Sequence, residues 1–94
     1  MLISLGSLKN AKVTREVVLK AFRHKCARCR KPTEVVHEIA FRSIRPKDWW
    51  VFENRIPLCS ECHEWAHDNP RTSGKILYEI REQRLREYGV STCA

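Results

Sequence analysis

The sequence predicts one small α+β domain, a β-hairpin set between helices and stapled by its own cysteines. Three observations predict it. The chain has 94 residues, enough for one hydrophobic core and too few for two. Its apolar pattern is helical before Cys26, β-branched between Glu34 and Ala40, and helical again after Ser60, a switch of period that marks helix, strand and helix. Four of its five cysteines stand in two Cys-x-x-Cys pairs, one on each side of the β-branched segment, an extra fastening of the kind a chain this short needs.

Residues 1–13 mix isolated apolar residues with Ser, Gly and Asn and form an N-terminal arm, either loosely attached or added as a short edge strand. Thr14 is placed to cap a helix that carries Val17, Val18, Ala21 and Phe22 on one side and Arg15, Glu16, Lys20 and Arg23 on the other. Lys31-Pro32 ends that pattern, and Glu34–Ala40 reads as a strand. A basic turn from Arg42 to Lys47 leads to the apolar cluster Trp49–Phe52, and Glu53–Leu58 pairs back on the first strand. Ser60 to about Asn69 favours helix, which Pro70 stops by pushing Asn69 out of the α region. A last helix runs from about Ser73 to Tyr88. Arg81 and Arg84 interrupt its apolar stripe of Leu77, Ile80, Leu85 and Tyr88; Glu82 and Arg86 form an i,i+4 pair, and Gly89 suits its C-terminal cap.

Lys and Arg number 18 against 11 Asp and Glu, a formal net charge of +7, with a sequence pI near 9.5. Such an excess favours a polyanionic partner, nucleic acid first. At 43% hydrophobic residues with 3 Gly and 4 Pro, the composition argues against disorder. No apolar run approaches the roughly 18 residues of a membrane span, and Met1–Asn10 lacks the basic start and apolar stretch of a signal peptide. The expectation is an intracellular, cytoplasmic protein with no membrane partner, a setting in which paired cysteines favour metal over disulfides.

Two residues between thiolates form a tight loop that brings both sulfurs to one ion at about 2.3 Å, and two such loops complete the closed tetrahedral shell of a structural zinc. Cys26, Cys29, Cys59 and Cys62 are accordingly the expected zinc ligands, with the intervening segment held as an insertion. Cys93 has no partner in this pattern and reads as a free thiol. His63 follows Cys62 directly and His67 lies one helical turn on, so both imidazoles share a face and suit a second ion. His37 and the adjacent Glu38 sit on the preceding strand, and Asn54 lies between strand and helix.

The order Cys-x-x-Cys, a strand with His, then Asn-x4-Cys-x-x-Cys-His-x3-His resembles the HNH endonucleases over Cys26–His67. That resemblance implies a small ββα-metal (HNH) domain over residues 14–94 with its core at about 26–69. A hairpin and a helix would surround one catalytic divalent metal, supported by a separate four-cysteine zinc knuckle and flanking helices. It implies a metal-dependent DNA endonuclease or nickase that leaves 5′-phosphate and 3′-hydroxyl ends. The family's first-motif strand residue ligates the metal and the next, normally His, is the general base. On that alignment His37 is a ligand and Glu38 stands in the base position, where a carboxylate can take a proton from polarised water or ligate instead. The alternative alignment makes His37 the base and leaves Val36, which cannot ligate, at the metal. On the first, His37, His63 and His67 form a three-imidazole set like that of the colicin-type nucleases, taking Mg2+, Mn2+ or Ni2+. Asn54 is implied to hold the hairpin loop. Stand-alone domains of this kind are common in phages and mobile elements, whose proteins are then potential partners.

Arg42, Arg45, Lys47 and Arg55 are the expected phosphate contacts, with little sequence preference because phosphates carry none. Trp49, Trp50 and Trp65 either stack on bases or fill the core. Two other classes remain open. A non-catalytic zinc-stabilised nucleic-acid-binding module is suggested by Glu38 standing where the family has His. A zinc-stapled protein adaptor accounts for the cysteines but not for the charge or the His and Asn placement.

Overall fold

A computed structural model describes residues 3–4, 14–41, 44, 46–47 and 49–91. They form an α+β arrangement in the order β1 (Ile3–Ser4), α1 (Arg15–Ala21), β2 (Val36–Glu38), a 3₁₀ turn (Phe52–Asn54), β3 (Arg55–Pro57), α2 (Ser60–Asp68), α3 (Pro70–Glu87) and β4 (Val90–Ser91). Among these residues no helix is long and apolar enough to cross a membrane.

Helix α1 starts where the cap was expected, with Thr14 Oγ1 accepting from the Val17 N–H at 3.3 Å. This satisfies one of the donors a helix start leaves open. Arg23 and His24 then adopt left-handed backbone angles, φ 58° and 57°. The His24 N–H closes onto the Leu19 carbonyl at 2.8 Å, and the chain turns sharply toward Cys26.

Strands β2 and β3 pair antiparallel, with Val36 opposite Pro57, His37 opposite Ile56 and Glu38 opposite Arg55. The expected strand over Glu34–Ala40 is shorter than its β-branched composition suggested, and its ends show why. Beyond Glu38, the Ile39 N–H still meets the Asn54 carbonyl at 2.8 Å, but Ala40 bonds the Asn54 side chain instead of a ladder partner. At the other end the Leu58 N–H still meets the Val35 carbonyl at 3.1 Å, but Thr33 Oγ1 replaces the return bond, donating to the Leu58 carbonyl at 3.0 Å and accepting from Val35 N at 3.1 Å.

Pro70 acts twice. It ends α2 as expected, and it also occupies the first turn of α3, where its missing N–H costs nothing. The last helix therefore begins at Pro70 rather than near Ser73, and Ser73 Oγ donates to the Ala66 carbonyl at 3.2 Å, joining the two helices. Gly89 closes α3 at φ 71°, a conformation glycine adopts without strain. Of the two alternatives for the arm, Ile3–Ser4 takes the strand, paired in parallel with β4 rather than with the hairpin.

Val18, Phe22, Phe52, Ile56, Leu58, Ala66, Leu77 and Leu85 form the core together with Cys26, Cys59 and Cys62. The interrupted stripe of α3 has a physical reason. Arg81 is only 2% exposed; its guanidinium lies 4.6 Å over the Phe52 ring and donates to the Phe52 carbonyl at 3.1 Å and to Glu82 at 2.9 Å. It is a core residue that brings its own partners.

Candidate metal centres

The first Cys-x-x-Cys lies in a narrow turn closed by a bridge between Lys25 and Pro32. Within it the Cys26 N–H meets the Lys31 carbonyl at 2.7 Å and the Arg30 N–H meets the Cys26 carbonyl at 2.8 Å, with Arg30 at φ 71°. The second pair begins α2, where Cys59 is the N-cap residue. An Ala27 N–H bond to the Pro57 carbonyl, 3.0 Å, brings the two pairs together. The four Sγ atoms lie within 4.8 Å of one another, and those of Cys29 and Cys59 are 3.4 Å apart. Four sulfurs at about 2.3 Å from a tetrahedral centre are about 3.8 Å from each other, so the set fits one such ion with little adjustment. All four thiols are free of disulfides.

Burial, reinforced by the Cys59 and Cys26 thiols, pushes Cys62 up to about 12, although Arg28 opposes it. Burial likewise raises Cys29. At Cys26 burial also acts upward, but backbone N–H groups of Cys29, Cys59 and Arg28 outweigh it and bring the thiol down to about 7. Metal uptake by this set therefore releases protons, since thiolates are the ligands. Helix α3 braces the first turn, with Arg84 Nε donating to the Ala27 carbonyl at 2.8 Å and Glu87 pairing with Arg30 at 2.7 Å.

A second cluster faces a neighbouring side of α2. Strand alternation turns His37 inward, 3% exposed, toward His63 and His67. The ring nitrogens of the three lie within 4.8 Å of one another, and His37 Nδ1 is 3.1 Å from His63 Nδ1. Burial, then the charges of His63 and His67, lower His37 to about 4; burial, then His67, lower His63. Both are therefore neutral at pH 7, the form in which imidazole ligates metals. A pocket of about 90 Å³ opens on the cluster, lined by Val36, His37, Glu38, Phe41, His63 and His67. The Phe41 ring stacks on His67 with centroids 5.5 Å apart and presents its edge to His37 at 6.3 Å. Glu38 is half-buried and stands opposite Arg55 in the ladder, so the two side chains share a face.

Asn54 does not reach the pocket. It is fully buried with its amide spent on the hairpin loop: Oδ1 accepts from Ala40 N at 2.7 Å and from the Tyr78 hydroxyl at 3.1 Å, while Nδ2 donates to the Ala40 and Trp49 carbonyls at 2.9 and 3.0 Å. Asn54→Ala is expected to strand several of these groups and destabilise the metal-loaded domain by on the order of 3 kcal/mol, against about 1 kcal/mol for Tyr78→Phe. Urea unfolding of both variants checks the ranking, and equal small effects would contradict it.

The structure thus gathers the four cysteines in one place and His37, His63 and His67 in another, with Glu38 on the rim of the second. Lys47 is exposed on the hairpin loop and Arg55 is half-buried on β3; Arg42 and Arg45, like Cys93, lie outside the described residues. Trp49 and Trp50 are half-buried and edge to face, 5.5 Å between centroids, whereas one face of Trp65 is covered by Arg28. Three residues near the clusters escaped the sequence reading: Phe41, Tyr78 and Arg28. Nothing local marks the first two, and Arg28 was visible only as one more cation. The chain matches no family model, no curated protein and no solved structure.

Proposed function

We propose that the four cysteines hold a structural zinc and that the domain is an HNH-type, metal-dependent DNA endonuclease acting at the His37, His63 and His67 pocket. The observation that carries this reading is the convergence of three imidazoles, one from a strand and two from a helix, on a pocket that Glu38 also lines. Three imidazole nitrogens fit Ni2+, Zn2+ or Mn2+ better than Mg2+, which prefers oxygen ligands. An ion held there supplies Lewis acidity toward a phosphoryl oxygen and makes water a better proton donor.

The chain's own residues do the rest. His37 faces its fellow imidazoles from a buried position, which supports the ligand role over that of base. Glu38 lines the same pocket and takes the proton of the attacking water, while Arg55, across the ladder from Glu38, draws phosphate. Asn54 keeps the loop in shape through Ala40 and Trp49, so that β2 presents His37 and Glu38 together. Lys47, and with it Arg42 and Arg45, contributes phosphate contacts.

Incubation of zinc-loaded protein with supercoiled plasmid tests the proposal. Nicked or linear DNA with Ni2+ or Mn2+, and none with EDTA, is expected. Intact plasmid under every divalent metal would replace the enzyme by a non-catalytic, zinc-stabilised nucleic-acid-binding module, a reading favoured by Glu38 standing opposite a cation, where it can serve as a strand-pairing residue.

Under either reading, duplex affinity is expected to fall steeply with salt. Each phosphate contact contributes about 0.9 to the slope of log affinity against log salt, so Lys47→Gln lowers that slope by about 1 and weakens all sequences alike. A flat salt response in filter binding would count against nucleic acid as the partner.

A further inference from the structure

Arg28 sits inside the first Cys-x-x-Cys, and although the residue is exposed, its guanidinium is committed. The group lies 4.0 Å from the centre of the Trp65 ring, and its Nη1 donates to Cys62 Sγ at 3.6 Å. Cys62 and Trp65 are three residues apart on α2 and so share a helix face. A side chain from one cysteine turn thus reaches a ligand supplied by the other, resting on an aromatic ring that belongs to the same helix as that ligand.

Four thiolates around a divalent ion leave two negative charges uncompensated. A cationic donor bonded to one sulfur spreads part of that charge and so favours the metal-bound form of the site. Arginine suits this place because its planar fork stacks and donates at once, whereas a lysine ammonium acts as a point charge. The ring beneath it holds the guanidinium before metal arrives, reducing the entropy lost on bonding the sulfur.

We propose that Arg28, held in place by Trp65, is the charge-compensating residue of the cysteine site and sets how slowly that site releases its metal. The proposal rests on the reading that the four cysteines hold zinc.

Zinc transfer from the loaded protein to a chromogenic chelator is the test, with circular dichroism recording the fold of each loaded variant and Trp emission recording the stacking. Arg28→Gln is expected to release zinc about 10–100-fold faster, the range for losing an outer partner of a metal ligand. Arg28→Lys, which keeps the charge and the alkyl stem, is expected to release it several-fold faster. Trp65→Leu should speed release in the wild-type background and add nothing to Arg28→Gln, because the ring acts through the guanidinium. Arg71→Gln removes the same charge from an exposed position in the first turn of α3 and should leave the rate unchanged. A wild type that takes up no zinc overturns the underlying site. A wild type with one equivalent and unchanged release in both Arg28 variants overturns the role of Arg28 alone, as does equal acceleration in Arg71→Gln.

Discussion

Removing zinc with a strong chelator is expected to unfold the domain rather than merely empty a site. Cys26, Cys59 and Cys62 are members of the buried core, and they fasten the turn after α1 to the start of α2, where the Ala27 N–H bond to Pro57 and the exposed Lys31–Glu61 pair add only single contacts. The hairpin contributes only three residues to each strand, and α1 is seven residues long, too short to persist alone. Structural zinc binds with an apparent energy of about 10–16 kcal/mol, as much as the whole stability of a typical domain at about 5–15 kcal/mol. Loss of the far-ultraviolet helical signal on chelation, and its return on adding zinc, is the expected record. Cys59→Ser should behave like the chelated protein, and Cys93→Ser like the wild type. A metal-free chain that still unfolds cooperatively in urea would refute this account.

His63→Ala is expected to abolish plasmid cleavage while leaving zinc content and duplex affinity near wild type. The cysteine and histidine clusters diverge within one dipeptide: Cys62 is buried beside the first Cys-x-x-Cys turn, and His63 turns toward His37 and His67. Fold and chemistry should therefore separate in this variant. Glu38→Gln probes the proton instead of the metal. An amide cannot accept it, so activity should drop by about 10²–10⁴-fold with metal uptake intact, read by titrating metal and timing nicking in the same samples. Full activity in Glu38→Gln together with none in His37→Ala would make His37 the base and leave the metal to the helix histidines.

What was legible in the sequence was what neighbouring residues decide among themselves. The Thr14 cap, the paired cysteine turns, the sharing of a helix face by His63 and His67, and the halt at Pro70 all follow from spacing within a turn or two, where backbone geometry leaves few options. The convergence of His37 with the helix pair was suggested by the motif order, but its inward orientation needed the register that sets it opposite Ile56. The rest was decided by residues far apart in the chain. The strand stops at Glu38 because an asparagine sixteen positions away takes over the bonds of Ala40. Arg81 is a core residue because the Phe52 carbonyl and ring meet it across the fold. Tyr78 reaches Asn54 from another helix, and Arg28 finds Cys62 and Trp65 on α2. Local sequence carries no trace of such partners, because a polar side chain is buried or exposed according to what the tertiary fold brings within hydrogen-bond distance of it.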